Sequence, residues 1–232
     1  MRKVVFIDFH GTVAYKSYSD TLYQVLTEFH PDNIHTKSAF RDLLDGSYLW
    51  DNPQIAHPQY NKTEKWWKYM GGKLSEAYVQ LGYKDDAEKM TQRFRELYTD
   101  ANEYLVYEDS LEGLKKIRQM GWKIVVVSNH MPELKKVVRN MPFSKYIRRV
   151  ISSACIGYEK PNIKFFEYVL KKTLYPKKRI MIGDSILADI QGATAANIPA
   201  ILVRNSLFKD NENCKYFAKD MLEAADIIEK NF

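Results

Sequence analysis

Lys3 to Thr12 read KVVFIDFHGT: a β-branched apolar run closed by Asp8, then an aromatic, a histidine, a glycine and a threonine. Apolar residues without alternation predict a strand buried on both faces, the kind found inside a parallel sheet. Asp8 then falls at the carboxyl end of that strand, the edge at which open α/β sheets bind ligands.

Working outward, the next clear strand is KIVVVS, Lys123 to Ser128, and the residues between read as helices. Ser19 and Asp20 begin one with Leu22, Val25, Leu26 and Phe29 on one face, and Thr36 can cap another carrying Phe40, Leu43 and Leu44. Lys65 to Leu81 and Ala87 to Leu97 continue the helical period. After Ser110 the texture changes to alternation: SLEGLKKIRQMG as a capped helix, KIVVVS, a helix over Pro132 to Asn140, a short strand near RVISSA, a helix over Ile163 to Lys172, the strand RIMIGD, a helix over Ile186 to Ala196, the strand AILV and a C-terminal helix. Such alternation predicts a doubly wound parallel sheet, a Rossmann-like α/β core. The domain expectation is a core of residues 1–14 and 106–232, with residues 15–105 inserted as an all-helical cap. No internal repeat and no low-complexity linker breaks this plan.

A chain of 232 residues with 45% hydrophobic and 28% charged residues is ordinary for a globular protein and excludes a disordered one. VVFI is cut short by Asp8, too early for a signal peptide, and no segment reaches the roughly 18 apolar residues of a membrane span. The expected location is cytoplasmic. Cys155 and Cys214 are too few for a disulfide framework and read as buried small apolar residues. Residues 14–106 carry 11 Lys+Arg against 14 Asp+Glu, so of the net +6 about +9 belongs to the α/β part. That field attracts small anions, while the basic clusters LKKIRQ and LKKVVRN read as solvated helix faces rather than a nucleic-acid surface. The expected partners are a small phosphorylated substrate, no nucleic acid and no membrane, with the chain a monomer or weak homodimer.

The strand ends carry Asp8, Ser128 and Asp184, with Lys160 in the loop GYEKPN. Two carboxylates, a hydroxyl and an ammonium converging on one edge suit phosphoryl transfer through a covalent enzyme intermediate on Asp8. Asp8 and Asp184, with Asp189 further on, make a hard all-oxygen site suited to Mg²⁺, since close carboxylates need a cation between them. Ser128 and the amides of the Gly11–Thr12 turn offer hydrogen bonds to phosphoryl oxygens. Trp50, Trp66 and Trp67, in the insert, read as core residues rather than stacking platforms.

DFHGT, VVVSN, GYEKPN and GDSILAD, in this order, resemble the four motifs of the haloacid dehalogenase-like hydrolase superfamily, and the helical insert resembles its C1 cap. The resemblance covers about residues 1–14 and 106–232. It implies Asp8 as nucleophile and metal ligand, Ser128 and Asn129 on the phosphate, and Lys160 orienting nucleophile and substrate. It further implies Asp184 on Mg²⁺, Asp189 supporting metal or lysine, and the backbone carbonyl of His10 as a further ligand. The chain departs from the pattern at the His10 side chain, where phosphatases of the family usually carry an acid/base aspartate. A Mg²⁺-dependent phosphatase of small metabolites is therefore expected, with dehalogenase or phosphonate hydrolase chemistry and a non-catalytic phosphoryl-binding role as the alternatives. The linkers at Ala14 to Ser17 and Glu103 to Tyr107 are the expected hinges of the cap.

Overall fold

The computed structural model describes residues 3–208, 210–212 and 214–232. Its centre is a parallel sheet built from β1 (Lys3–Ile7), β4 (Lys123–Ser128), β5 (Ile147–Ser152), β6 (Lys178–Gly183), β7 (Ala200–Val203) and β8 (Phe217–Ala218), in the order β5-β4-β1-β6-β7-β8. The opening strand lies in the middle, paired on both sides. Its side chains alternate between two apolar layers. Val5 and Ile7 join one with Ile124, Val126, Ile180 and Ile182, while Val4 and Phe6 join the other with Val125, Val127 and Met181. Burial on both faces is what the unbroken apolar run requires, each such side chain contributing about 1.5–3 kcal/mol.

Helices α5 (Ser110–Gln119), α6 (Leu134–Arg139) and α9 (Met221–Asn231) close the first layer, and α7 (Ile163–Lys172) and α8 (Gly192–Ala195) the second. Between β1 and α5 lie α1 (Tyr18–Phe29), α2 (Lys37–Leu44), α3 (Thr63–Gln80) and α4 (Ala87–Thr99). Ser17 caps α1 by accepting from the Asp20 amide, so the helix starts one residue before the predicted Ser19. Both connections to this insert meet in a short antiparallel ladder, β2 (Ala14–Tyr15) with β3 (Leu105–Val106), where the sequence reading expected only linkers. Two residues per strand are below what periodicity can register.

Three expectations need correction. Cys155 is exposed and Cys214 half-buried, because the first follows the edge strand β5 and the second lies in the loop before β8. Trp66 and Trp67 are buried, but Trp50 is only half-buried on a short 3-10 turn. The single helix predicted over Ile186 to Ala196 divides into a π-helical turn, Ile186–Gln191, and α8. No helix is long and apolar enough to cross a membrane among the described residues.

Candidate active site

Asp8 leaves β1 with its amide bonded to the Ile182 carbonyl at 2.9 Å, and the chain then turns sharply. The Phe9 carbonyl accepts from Val13 and Ala14 at 3.1 Å each, and Gly11 adopts φ +77°. A side chain at Gly11 would stand 2.3 Å from Asp184 Oδ2, so this residue is glycine for both conformation and space. The Gly11 amide is engaged with the Ala14 carbonyl (2.9 Å) and that of Thr12 with Phe9 (3.4 Å). These two amides were expected to face phosphate; they close the turn instead. The amides of Phe9 and His10 have no acceptor among the described residues and are the ones left over. The Thr12 hydroxyl donates to Asp184 Oδ1 at 3.2 Å.

Lys160 binds this turn to the rest of the sheet edge. Its Nζ lies 2.6 Å from Asp8 Oδ1, 2.6 Å from Asp189 Oδ1 and 3.1 Å from the Val127 carbonyl, with only 2% of the residue exposed. Asn129 was expected to bind phosphate, yet both of its amide atoms hold the Lys160 backbone: Oδ1 accepts from Lys160 N at 2.7 Å, and Nδ2 donates to Lys160 O at 2.9 Å. Ser128 is buried beside it and lines the same cavity of about 180 Å³ as Asp8, His10, Lys160, Asp184 and Asp189. The π-turn carries Asp189 back under the lysine, and the second carboxylate oxygen accepts from the Ser185 amide at 3.1 Å. A Cβ at Gly183 would lie 2.2 Å from that carboxylate.

Burial and then the two anions act oppositely on Lys160. Desolvation alone would lower its pKa, but Asp189 and Asp8 more than offset that and hold it above the usual lysine range. The carboxyl of Asp184 is raised by burial, then by repulsion from Asp8 and Asp189. Asp8, Asp184 and Asp189 offer oxygens all within 4.8 Å of one another, against one ammonium. The uncompensated negative charge fits a hard cation, so the donor set matches the expected divalent metal.

His10 is half-buried, and its Nε2 lies 3.1 Å from the Lys16 carbonyl. A carbonyl only accepts, so the proton sits on Nε2 and the Nδ1 lone pair is left open. Burial lowers its pKa, with Asp8 and the Lys16 carbonyl opposing less strongly, so the ring is neutral at pH 7.

Arg204, at the end of β7, carried no sequence signal. Its Nε donates to the Thr12 carbonyl at 2.9 Å and its Nη2 to Asp109 at 2.7 Å, while the guanidinium lies 3.9 Å over the Tyr107 ring. Burial would raise the Asp109 carboxyl, but Arg204 and the Met221 amide hold it below the usual range. Asn205 donates to the Asp184 carbonyl at 2.9 Å. These residues brace the turn from outside the four motifs, and only folding brings them there.

The sequence profile of a family described as haloacid dehalogenase-like hydrolase matches residues 54–203, a stretch holding Ser128, Lys160, Asp184 and Asp189. The glyceraldehyde 3-phosphate phosphatase of Methanothermobacter thermautotrophicus is 31% identical over 104 residues, 44% of this chain and 46% of that protein. The haloacid dehalogenase-like hydrolase domain-containing protein 3 of Mus musculus is 29% identical over 149 residues, 62% of this chain and 57% of that one. The chain thus spans about half the length of these curated relatives. Among solved structures, the HAD-hydrolase YfnB of Bacillus subtilis, bound to magnesium, superposes with a TM-score of 0.72 at 18% identity, covering 98% of this chain and 99% of that one. At that identity the likeness is one of fold.

Proposed function

The chain belongs to the haloacid dehalogenase-like hydrolases, and from that premise we propose that it is a Mg²⁺-dependent phosphatase of a small phosphorylated metabolite in the cytoplasm. The observation that carries this reading is Lys160 held at 2.6 Å by both Asp8 and Asp189, with Asp184 beside them. Asp8 is the nucleophile: its carboxylate attacks phosphorus, the bond to the leaving oxygen breaks, and water later hydrolyses the aspartyl phosphate. Mg²⁺, held by Asp8, Asp184 and the His10 carbonyl, would neutralise phosphoryl charge. Asp189 has both oxygens committed, so it serves the lysine first. Ser128 and the Phe9 and His10 amides receive the phosphoryl oxygens, while Lys160, its three N–H groups committed to Asp8, Asp189 and the Val127 carbonyl, orients the nucleophile and supplies positive charge beside it. His10 takes a proton from the attacking water at Nδ1 in the second step. Residues 15–105 act as the cap, hinged at the β2–β3 ladder.

A carboxylate at Asp184 favours this reading over carbon–halogen cleavage, which has no use for a third acid at the strand ends. The test is hydrolysis of 4-nitrophenyl phosphate with Mg²⁺ and after chelation. Turnover only with the metal is the expected result, and turnover that survives chelation overturns the proposal.

A further inference from the structure

Beside the phosphoryl pocket lies a second cavity of about 410 Å³, bounded by the inserted helices on one side and by the sheet edge on the other. His10 and Asn129 line both, so the two are adjacent, and on the phosphatase reading the second is the space beside the phosphoryl group that a leaving group would take. Its walls are aromatic. Tyr48 and Trp50 stack nearly parallel, with centroids 4.8 Å apart and planes at 8°. Tyr18 stands edge-on to both, at 71° and 65°. All three rings line the cavity, so a flat ring that enters it meets aromatic surface able to take its face or its edge.

The polar groups narrow the class further. His130, only 3% exposed, lines the cavity, and neither of its ring nitrogens has a hydrogen-bond partner among the described residues. Both nitrogens are themselves buried, so His130 adds an uncharged ring to the wall and no accessible hydrogen-bonding group. At the rim, Arg41 is offset by Asp45 and Asp51, so nothing there favours a second phosphate. A three-carbon sugar has no face to set against the slab.

Resting on the phosphatase reading, we infer that the substrate is a phosphate monoester whose alcohol carries a flat, uncharged aromatic ring, as a nucleoside 5′-monophosphate does, with Trp50 the residue that selects it. Stacking on one aromatic side chain changes affinity by about tenfold or more. The test is calorimetric titration of the Asp8→Asn protein, in Mg²⁺, with UMP, AMP and glycerol 3-phosphate. At least one nucleotide is expected to bind about tenfold tighter than glycerol 3-phosphate or better. Trp50→Ala in that background should collapse the ratio toward one, and Trp50→Phe should restore most of it. Glycerol 3-phosphate binding as tightly as both nucleotides, or a ratio untouched by Trp50→Ala, overturns the inference. In the wild-type enzyme, which needs no variant to fold, uridine or adenosine should compete with 4-nitrophenyl phosphate where glycerol does not; equal behaviour of the two counts against the ring pocket. Ring-selective binding with no Mg²⁺-dependent hydrolysis of any phosphate would sink the phosphatase reading and keep the pocket. Hydrolysis that prefers glyceraldehyde 3-phosphate would do the reverse.

Discussion

The ammonium of Lys160 lies 2.6 Å from Oδ1 of Asp8, although 152 residues separate them in the chain. It lies equally close to Asp189, so one buried cation is shared by two buried carboxylates. Removing it strands both anions. Lys160→Met should lower unfolding stability by about 3–5 kcal/mol, the cost of breaking a buried ion pair from one side. Urea denaturation of both proteins measures this; a loss below about 1 kcal/mol would mean that the carboxylates find other partners or protons.

Asp8→Asn should abolish turnover, by about 10⁴-fold or more, while the protein stays folded, because the amide keeps the shape and loses the nucleophile. Steady-state assay together with circular dichroism checks both halves. A variant keeping most of its activity would require another nucleophile.

Stability and metal are linked through Asp184. Burial, then Asp8 and Asp189, raise its carboxyl pKa in the folded protein above the unfolded value. The folded state therefore holds a proton that the unfolded state has already released, and the metal-free protein loses stability as pH rises from the ordinary carboxylate range toward neutrality. A divalent cation replaces that proton. The rise in melting temperature on adding Mg²⁺ should be larger at pH 7.5 than at pH 5, and a gain independent of pH would contradict the linkage.

His10→Ala should slow turnover by about 10²- to 10⁴-fold if Nδ1 accepts the proton of water. Because burial lowers the imidazole pKa, the wild-type rate should hold through neutral pH and fall only on the acid side of the usual histidine value. With its Nε2 proton held by the Lys16 carbonyl, the neutral ring is a poor acid, so kcat should be higher for aryl and acyl phosphates than for alkyl esters, nucleoside 5′-monophosphates included, however tightly these bind. His10→Asp should raise rates on alkyl esters. A pH–rate profile for the three proteins decides, and an unchanged rate in His10→Ala excludes the side chain.

Arg204→Met should reduce kcat by about tenfold and stability by about 1–3 kcal/mol, since the Thr12 carbonyl and Asp109 each lose a charged donor. Arg204→Lys should restore little, because one ammonium cannot span both acceptors. Full activity in Arg204→Met would show that the turn holds its shape without this brace.

The apolar runs alone were enough for the middle of the sheet, because a strand buried on both faces must be apolar without interruption, and KVVFI, KIVVVS and AILV are; the two-residue edge strand β8, paired to β7, left no such run and was not read. The sequence also determined which residues meet at the strand ends, since Asp8, Ser128 and Asp184 each close such a run and Lys160 sits in the loop between. What a residue does once there was decided by the tertiary structure. Asn129 looked free to bind phosphate until folding set its amide against the Lys160 backbone. Gly11 and Thr12 looked like phosphate donors until the turn used their amides. Arg204 had no signal, and Trp50 looked like Trp66 and Trp67, because neither a hydrogen bond across 192 residues nor the lining of a cavity leaves a period in the chain. Local pattern reports which face of an element is apolar; the assignment of each donor to its acceptor depends on which distant groups are brought within about 3 Å, and that follows only from packing.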